Sequence, residues 1–343
     1  LVYKDNLVLG QGAIVKGNSE LSERKTFMVK KILPSLIILL LLACSGCSSA
    51  GLLENRSTEE AQVDSAGYFT ITLTRDFGEQ VLDTREVQVQ SSWSLMEYMQ
   101  REYQVTTGFG GSFITGLNGV ESAAGEEGNS DWFFFVNGAV AMVGADRLKP
   151  APGDVVWWDY HRWSDAASPT AVIGCYPQPF VNRKVIILAN PAYQEMAEYC
   201  RRALNAQGAG QVTVDKLSKE STRLDKPEAP VIVIGTWPEL QKNSYIADWN
   251  RAFRRNGSGI HFTDNGVELL SFDGEAVKAL GEGTGVIVAS STGQQDNPMW
   301  LVAGVDEQGV KEAVWILCSQ PEALRWKYGL AVQKGQITAL PAE

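Results

Sequence analysis

Histidine is nearly missing from this chain: His161 and His261 are the two in 343 residues. Neither stands in a cysteine- or carboxylate-spaced cluster, so the sequence offers no zinc constellation and little room for imidazole catalysis. No Gly-x-Ser-x-Gly occurs, which removes the serine nucleophile of that hydrolase class. Gly281-Glu282-Gly283-Thr284-Gly285 resembles a phosphate loop in composition only, because it opens into Val286-Ile287-Val288, a strand pattern. A phosphate cradle needs a helix N-terminus there, and Gly108–Gly111 has the same defect. There is no basic cluster, and the net charge is -10. That balance excludes nucleic acid as an expected partner. Cysteine is sparse, five in all. Cys175, Cys200 and Cys318 form an odd, irregularly spaced set in the body of the chain, which speaks for buried free thiols and against a disulfide framework. The expectation is a protein that is not an enzyme, with no metal and no cofactor of its own.

What is present begins with a targeting pattern. Met28-Val29-Lys30-Lys31 is basic, Ile32–Ala43 is apolar, and Cys44-Ser45-Gly46-Cys47 follows. The apolar run has 12 residues, against the ~20 a spanning helix needs. Basic, apolar and small-residue regions in that order read as a signal peptide over residues 28–47. A cysteine directly after Leu41-Leu42-Ala43 resembles the bacterial lipobox. That resemblance implies lipidation of Cys44, with Cys47 as the second choice, and a lipid anchor at the cell surface. Residues 48–65 are polar and acidic and read as a tether.

From 66 to 163 the pattern is α+β. Tyr68–Thr74 and Val81–Val89 alternate as strands, joined by Asp76-Phe77-Gly78. Ser94, with Glu97 three residues on, is a capping box for a helix starting near Leu95. Phe113–Leu117 is a strand closed by Asn118-Gly119. Asp131-Trp132-Phe133-Phe134-Phe135-Val136 is a strand closed by Asn137-Gly138, the strongest short hairpin signal. Val140–Val143 returns from that hairpin, and Val155–Tyr160 is the last strand. In the aromatic strand, Trp132, Phe134 and Val136 face one way and Phe133 and Phe135 the other. Both faces are apolar, so both need cover. The helix supplies one cover; the second domain, a partner chain or a ligand supplies the other.

Gly108-Phe109, Phe113-Ile114-Thr115-Gly116-Leu117-Asn118-Gly119, Trp132-Phe133-Phe134, Asn137-Gly138, Gly144-Ala145 and Pro152-Gly153-Asp154 occur in one order that resembles the C-terminal domain of transcobalamin and intrinsic factor. The resemblance covers about 68–163 and implies a β-grasp-like, ubiquitin-like sheet on one helix. It also implies a corrinoid ligand, since in the vitamin carriers this domain closes over one face of cobalamin. The segments matching Phe113–Leu117 and Asp131–Phe134 lie near the corrin side there. The large helical barrel that completes the carriers' clamp has no counterpart in this sequence.

Residues 164–180, with Pro169, Gly174, Pro177 and Pro179, read as a stiff linker. Beyond it, apolar runs at Val185–Ala189 and Val231–Gly235 alternate with helical patterns at Tyr193–Leu204, Asn243–Arg254 and Glu307–Cys318. Residues 181–343 are therefore expected to form an open, mostly parallel α/β sheet. Asp159-Tyr160-His161 offers a base or metal ligand, but an exposed histidine at a strand end is the expectation. The functional expectation is a surface lipoprotein that captures cobalamin or another corrinoid on Phe113, Thr115, Trp132 and Phe134, on the sheet face away from the helix. It would pass the ligand to an uptake transporter. The competing expectation is a non-catalytic envelope structural or adhesion protein that contacts protein or glycan.

Overall fold

The computed structural model describes residues 67–125, 128–164, 169–218, 224–291 and 297–343. The signal peptide, Cys44 and the tether lie outside the described residues. Within them the architecture is mixed α/β, rich in strands, with few helices and four sheets. None of the described helices is long and apolar enough to cross a membrane.

The amino-terminal region is built on β1 (Tyr68–Arg75) and β2 (Gln80–Gln88), an antiparallel hairpin. Helix α1 (Leu95–Glu102) follows. Its start obeys the sequence: Ser94 Oγ accepts from the Glu97 amide, and Glu97 reaches back to the Ser94 amide at 2.6 Å. Two orphan amides of the first turn are satisfied this way. A small antiparallel sheet of β3 (Val105–Gly108), β4 (Phe113–Leu117) and β5 (Val120–Glu121) comes next. Then β6 (Ala123–Gly125), the aromatic β7 (Gly128–Val136), β8 (Ala139–Val140) and β9 (Val155–Trp163) complete the main sheet. Its order is β2-β1-β9-β7-β6, with β1 and β9 parallel and β7 and β9 antiparallel. Asn137 and Gly138 both have positive φ, as a tight hairpin turn requires. Gly138 is doubly constrained, because a Cβ there would meet the Val172 carbonyl at 2.8 Å.

Period two sorts this sheet into two buried faces. On one, Phe69, Ile71, Leu73, Trp132, Val136, Val156 and Trp158 pack with Leu95, Tyr98 and Met99 of α1. On the other, Phe135 and Trp157 pack with Val172, Cys175 and Tyr328 from later in the chain. Thr72 and Thr74, the polar half of the β1 alternation, are fully buried on this second face. The cover that the aromatic strand requires is thus the carboxy-terminal region itself.

That region carries β10 (Val185–Ala189), α2 (Gln194–Ala206), β11 (Val212–Lys216), β12 (Val231–Thr236), the single turn α3 (Trp237–Leu240) and α4 (Ser244–Arg251). A three-stranded sheet follows: β13 (Ile260–Thr263), β14 (Gly266–Leu270) and β15 (Ala276–Leu280). The chain continues through β16 (Thr284–Ser290), β17 (Met299–Gly304), α5 (Glu307–Ser319), β18 (Gly329–Gln333) and β19 (Gln336–Leu340). The seven-stranded sheet has the order β11-β10-β12-β17-β16-β18-β19. Its pairings are parallel from β11 to β17 and antiparallel from β17 to β19. It is therefore evenly mixed rather than mostly parallel. The hairpin β18–β19 goes beyond what the sequence pattern implies, because its alternation is short and interrupted by Lys334-Gly335. Alternation again divides the sheet. Ile232, Ile234, Ile287 and Val302 face α2 and α5. Val231, Val233, Val286 and Leu301 face α3, α4 and the small sheet. The segment from 169 to 184 carries buried Ala171, Val172, Ile173, Cys175 and Phe180, so it is packed into both cores and not a solvated spacer.

Candidate functional site

The four residues expected to bind ligand divide into two pairs. Phe113 and Phe134 line one cleft, together with Ser112, Val140, Ala141, Val143, Gly144 and Trp158. Trp132 and Thr115 do not line it. Trp132 is 3% exposed, packs against Tyr160 with ring centroids 5.4 Å apart, and donates from Nε1 to the Val120 carbonyl at 2.9 Å. It sits in the core beneath α1. Trp132 and Phe134 therefore lie on the helix side of the sheet, whereas the expectation placed them on the side away from it. The reason is the far-side cover: Phe133, Phe135 and Trp157 take that face, and the carboxy-terminal region closes it.

The cleft has an aromatic floor and an unusually bare rim. Phe134 stacks on Trp158 at 4.3 Å and 20°. Phe113 meets Phe109 edge to face at 5.9 Å. Phe109 is 73% exposed, and Met142, between the cleft-lining Ala141 and Val143, is 52% exposed. Phe109 also has φ of 50°, followed by Gly110 at 76° and Gly111 at 97°. A bulky residue in the left-handed region is a genuine outlier and costs on the order of 1–3 kcal/mol. The described contacts of the ring return little of that cost by burial. The enclosed part of the cleft measures only about 40 Å3. A ligand would thus lie across the rim, one face against Phe109 and Phe113, and not inside a cavity. Aromatic faces provide large, rigid contact area at low entropic cost.

The second constellation centres on Asp159, a residue the sequence left in the background. Asp159 is fully buried. Its Oδ1 accepts from the Thr74 hydroxyl at 2.5 Å and the Gly78 amide at 3.1 Å. Its Oδ2 accepts from the Tyr328 hydroxyl at 3.0 Å and pairs with His161 Nδ1 at 2.8 Å. The Thr74 hydroxyl, the Gly78 amide and the Tyr328 hydroxyl thus surround the carboxylate together with the His161 ring nitrogen, and the Tyr328 hydroxyl also lies 3.0 Å from His161 Nδ1. His161 is 4% exposed, contrary to the expectation of an exposed strand end. Its ring is sandwiched between Phe133 and Phe77, each at 4.5 Å. Trp157 Nε1 donates to Thr74 Oγ1 at 2.7 Å and closes the network. A groove beside His161, lined by Phe77, Phe253 and Phe272, offers only about 30 Å3, which is room for little more than a water molecule. The chemistry of this cluster is that of a saturated structural joint. Among the described residues no three His, Cys, Asp or Glu side chains converge to hold a metal ion. Sequence reasoning missed the joint because two of its members, Thr74 and Tyr328, lie on strands or turns far from Asp159 in sequence.

Residues 92–162 match the family model of a domain of unknown function, DUF4430. The matched segment runs from the α1 cap to the end of the Asp159–His161 strand and contains the whole cleft. No curated protein matches the chain. Among solved structures, one match is the "putative metal binding protein" from Ruminococcus gnavus ATCC 29149, at 20% identity. It covers 29% of this chain and 99% of that one, with a TM-score of 0.23.

Proposed function

We propose that this chain is a non-catalytic binding protein that presses the rim formed by Phe109, Phe113 and Met142 against one face of a flat, largely apolar ligand. The observation that carries this reading is Phe109. It combines a left-handed backbone with a ring 73% exposed, and strain of that kind persists where surrounding structure and function over-determine it. The motif order around the cleft resembles the vitamin carriers, and that resemblance makes the ligand a corrinoid. The same resemblance makes the first sheet β-grasp-like; its parallel β1–β9 pair and single helix support that reading. The Met28–Cys47 pattern adds a lipid on Cys44, a place at the cell surface and delivery to an uptake transporter.

The test is a titration of the purified chain with cobalamin and, separately, cobinamide. Corrinoid absorption and tryptophan emission are followed together. Binding should shift the absorption band and quench emission, since Trp158 lies in the cleft floor. Phe109→Ala should weaken binding at least about tenfold, the loss of one well-placed aromatic contact. No spectral change with either compound at high micromolar concentration overturns the corrinoid reading. Metabolic labelling with a fatty-acid analogue, lost in Cys44→Ser and retained in Cys47→Ser, tests the anchor.

A further inference from the structure

Two of the three cysteines in the described body are neighbours in space although 118 residues apart in sequence. Cys200 lies on α2 and Cys318 in the last turn of α5, two helices that pack side by side on one face of the large sheet. Their sulfurs are 3.1 Å apart. The neighbouring pair keeps the same register: the Tyr199 and Ser319 hydroxyls are hydrogen-bonded at 2.5 Å. Cys200 is wholly buried and Cys318 is partly exposed. Cys175 belongs to a different core, with Phe135 and Trp157. A thiolate metal site is a poor alternative, because among the described residues no third His, Cys, Asp or Glu joins the pair.

We propose that Cys200 and Cys318 are a disulfide-forming pair that staples α2 to α5 when the chain meets an oxidising compartment. The oxidant is a disulfide, either a small one such as oxidised glutathione or that of an extracytoplasmic thiol oxidase. Cys318 attacks first, being the accessible partner. It forms a mixed disulfide and releases one reduced thiol from the oxidant. Cys200 then attacks the Cys318 sulfur, and the second half of the oxidant leaves as a thiol. The protein loses two electrons and two protons, and the oxidant gains both. The order follows from chemistry as well as access. The bond from Cys318, and then burial, hold the Cys200 thiol well above its ordinary value. A poorly ionised thiol is a slow first nucleophile but an adequate second one when its target is held beside it. Closing a loop of this length restricts the unfolded chain strongly. Disulfides of this kind form and persist outside the reducing cytosol, where the targeting pattern would send the chain.

The experiment exposes the purified full chain to oxidised glutathione, blocks remaining thiols with an alkylating reagent, digests it and maps the peptides. The expected result is loss of alkylated Cys200 and Cys318 together, with appearance of one linked peptide pair, while Cys175 stays alkylatable on unfolding. The oxidised protein should melt roughly 5–10 °C above the reduced one, and Cys318→Ser should show no such redox dependence. Cys200 and Cys318 remaining as alkylatable as Cys175 after oxidation overturns the proposal. So does linkage of either residue only to glutathione or to another cysteine. The peptide map needs no variant, so it decides the matter even where Cys318→Ser misfolds.

Discussion

Phe77 and Phe109 make an informative pair. Both are phenylalanines with left-handed backbone, at φ of 57° and 50°, and both precede a glycine of positive φ. Their surroundings differ. Phe77 sits at the tip of the β1–β2 hairpin with its ring against His161, Phe272 and Tyr328. The Gly78 amide beside it is anchored on Asp159. Among the described residues the ring of Phe109 meets that of Phe113, and it is 73% exposed. At Phe77 packing offsets the backbone cost, so the residue explains itself as structure. At Phe109 nothing in the described fold does so, and under the proposed function a ligand would. The same local oddity is thus packed at one residue and exposed at the other.

The comparison breaks most sharply at the anchor of the packed side. Asp159→Ala would strand the Gly78 amide, leave the Thr74 hydroxyl to donate only along its long bond to the Trp158 carbonyl, and leave the Tyr328 hydroxyl paired with His161 Nδ1. The expected loss is at least about 3 kcal/mol in denaturant unfolding, since each unsatisfied buried group costs about 1–3 kcal/mol. A loss below about 1 kcal/mol would mean that the joint contributes little. Phe77→Gly removes a half-buried ring but relieves its backbone, for a net destabilisation of about 1–2 kcal/mol. Phe109→Gly should have the opposite sign, a gain of up to about 1 kcal/mol, while ligand affinity falls at least about tenfold. Equal destabilisation by the two glycine variants would erase the distinction between the two phenylalanines. The smallest effect concerns the cover on the cleft side. Glu97 is held below the usual carboxylate range, first by the Ser94 amide and then by the Ser94 hydroxyl. Its folded pKa is depressed, so its contribution is present above the unfolded pKa of about 4.3 and fades as pH falls through the folded value. Glu97→Gln should flatten that part of the melting-temperature profile and leave the neutral-pH midpoint within a few degrees.

Much of the fold was legible because local rules and tertiary packing agree. The Ser94–Glu97 box, the Asn118-Gly119 and Asn137-Gly138 turns and the runs at Val185 and Val231 all form as the sequence implies. The aromatic strand announced that both of its faces are covered. What it could not announce is which face the helix takes, because Trp132-Phe133-Phe134-Phe135 carries bulk on both. That ambiguity put Trp132 and Phe134 on the face away from the helix, whereas both lie on the helix side, Phe134 with Phe113 in one cleft. Phe109 was visible only as part of a glycine-rich loop; its exposure is a property of the folded surface. The Asp159 joint and the Cys200–Cys318 pair were hidden for a simpler reason. Apart from Asp159 and His161, two residues apart, their members meet across 81 to 169 residues of chain, and no spacing rule reaches that far. The antiparallel half of the large sheet was missed because a strand's apolar pattern carries no direction and the β18–β19 alternation is broken at Lys334-Gly335.

Tyr328 closes over Asp159 from 169 residues further along the chain. Synthesis at about 5–20 residues per second leaves strand β9 without its cover for on the order of ten seconds or more. During that interval Phe135 and Trp157 form an adhesive surface on a half-made protein. Exposed apolar surface of that kind invites aggregation, so the folding of the first sheet is complete only when Tyr328 has been made.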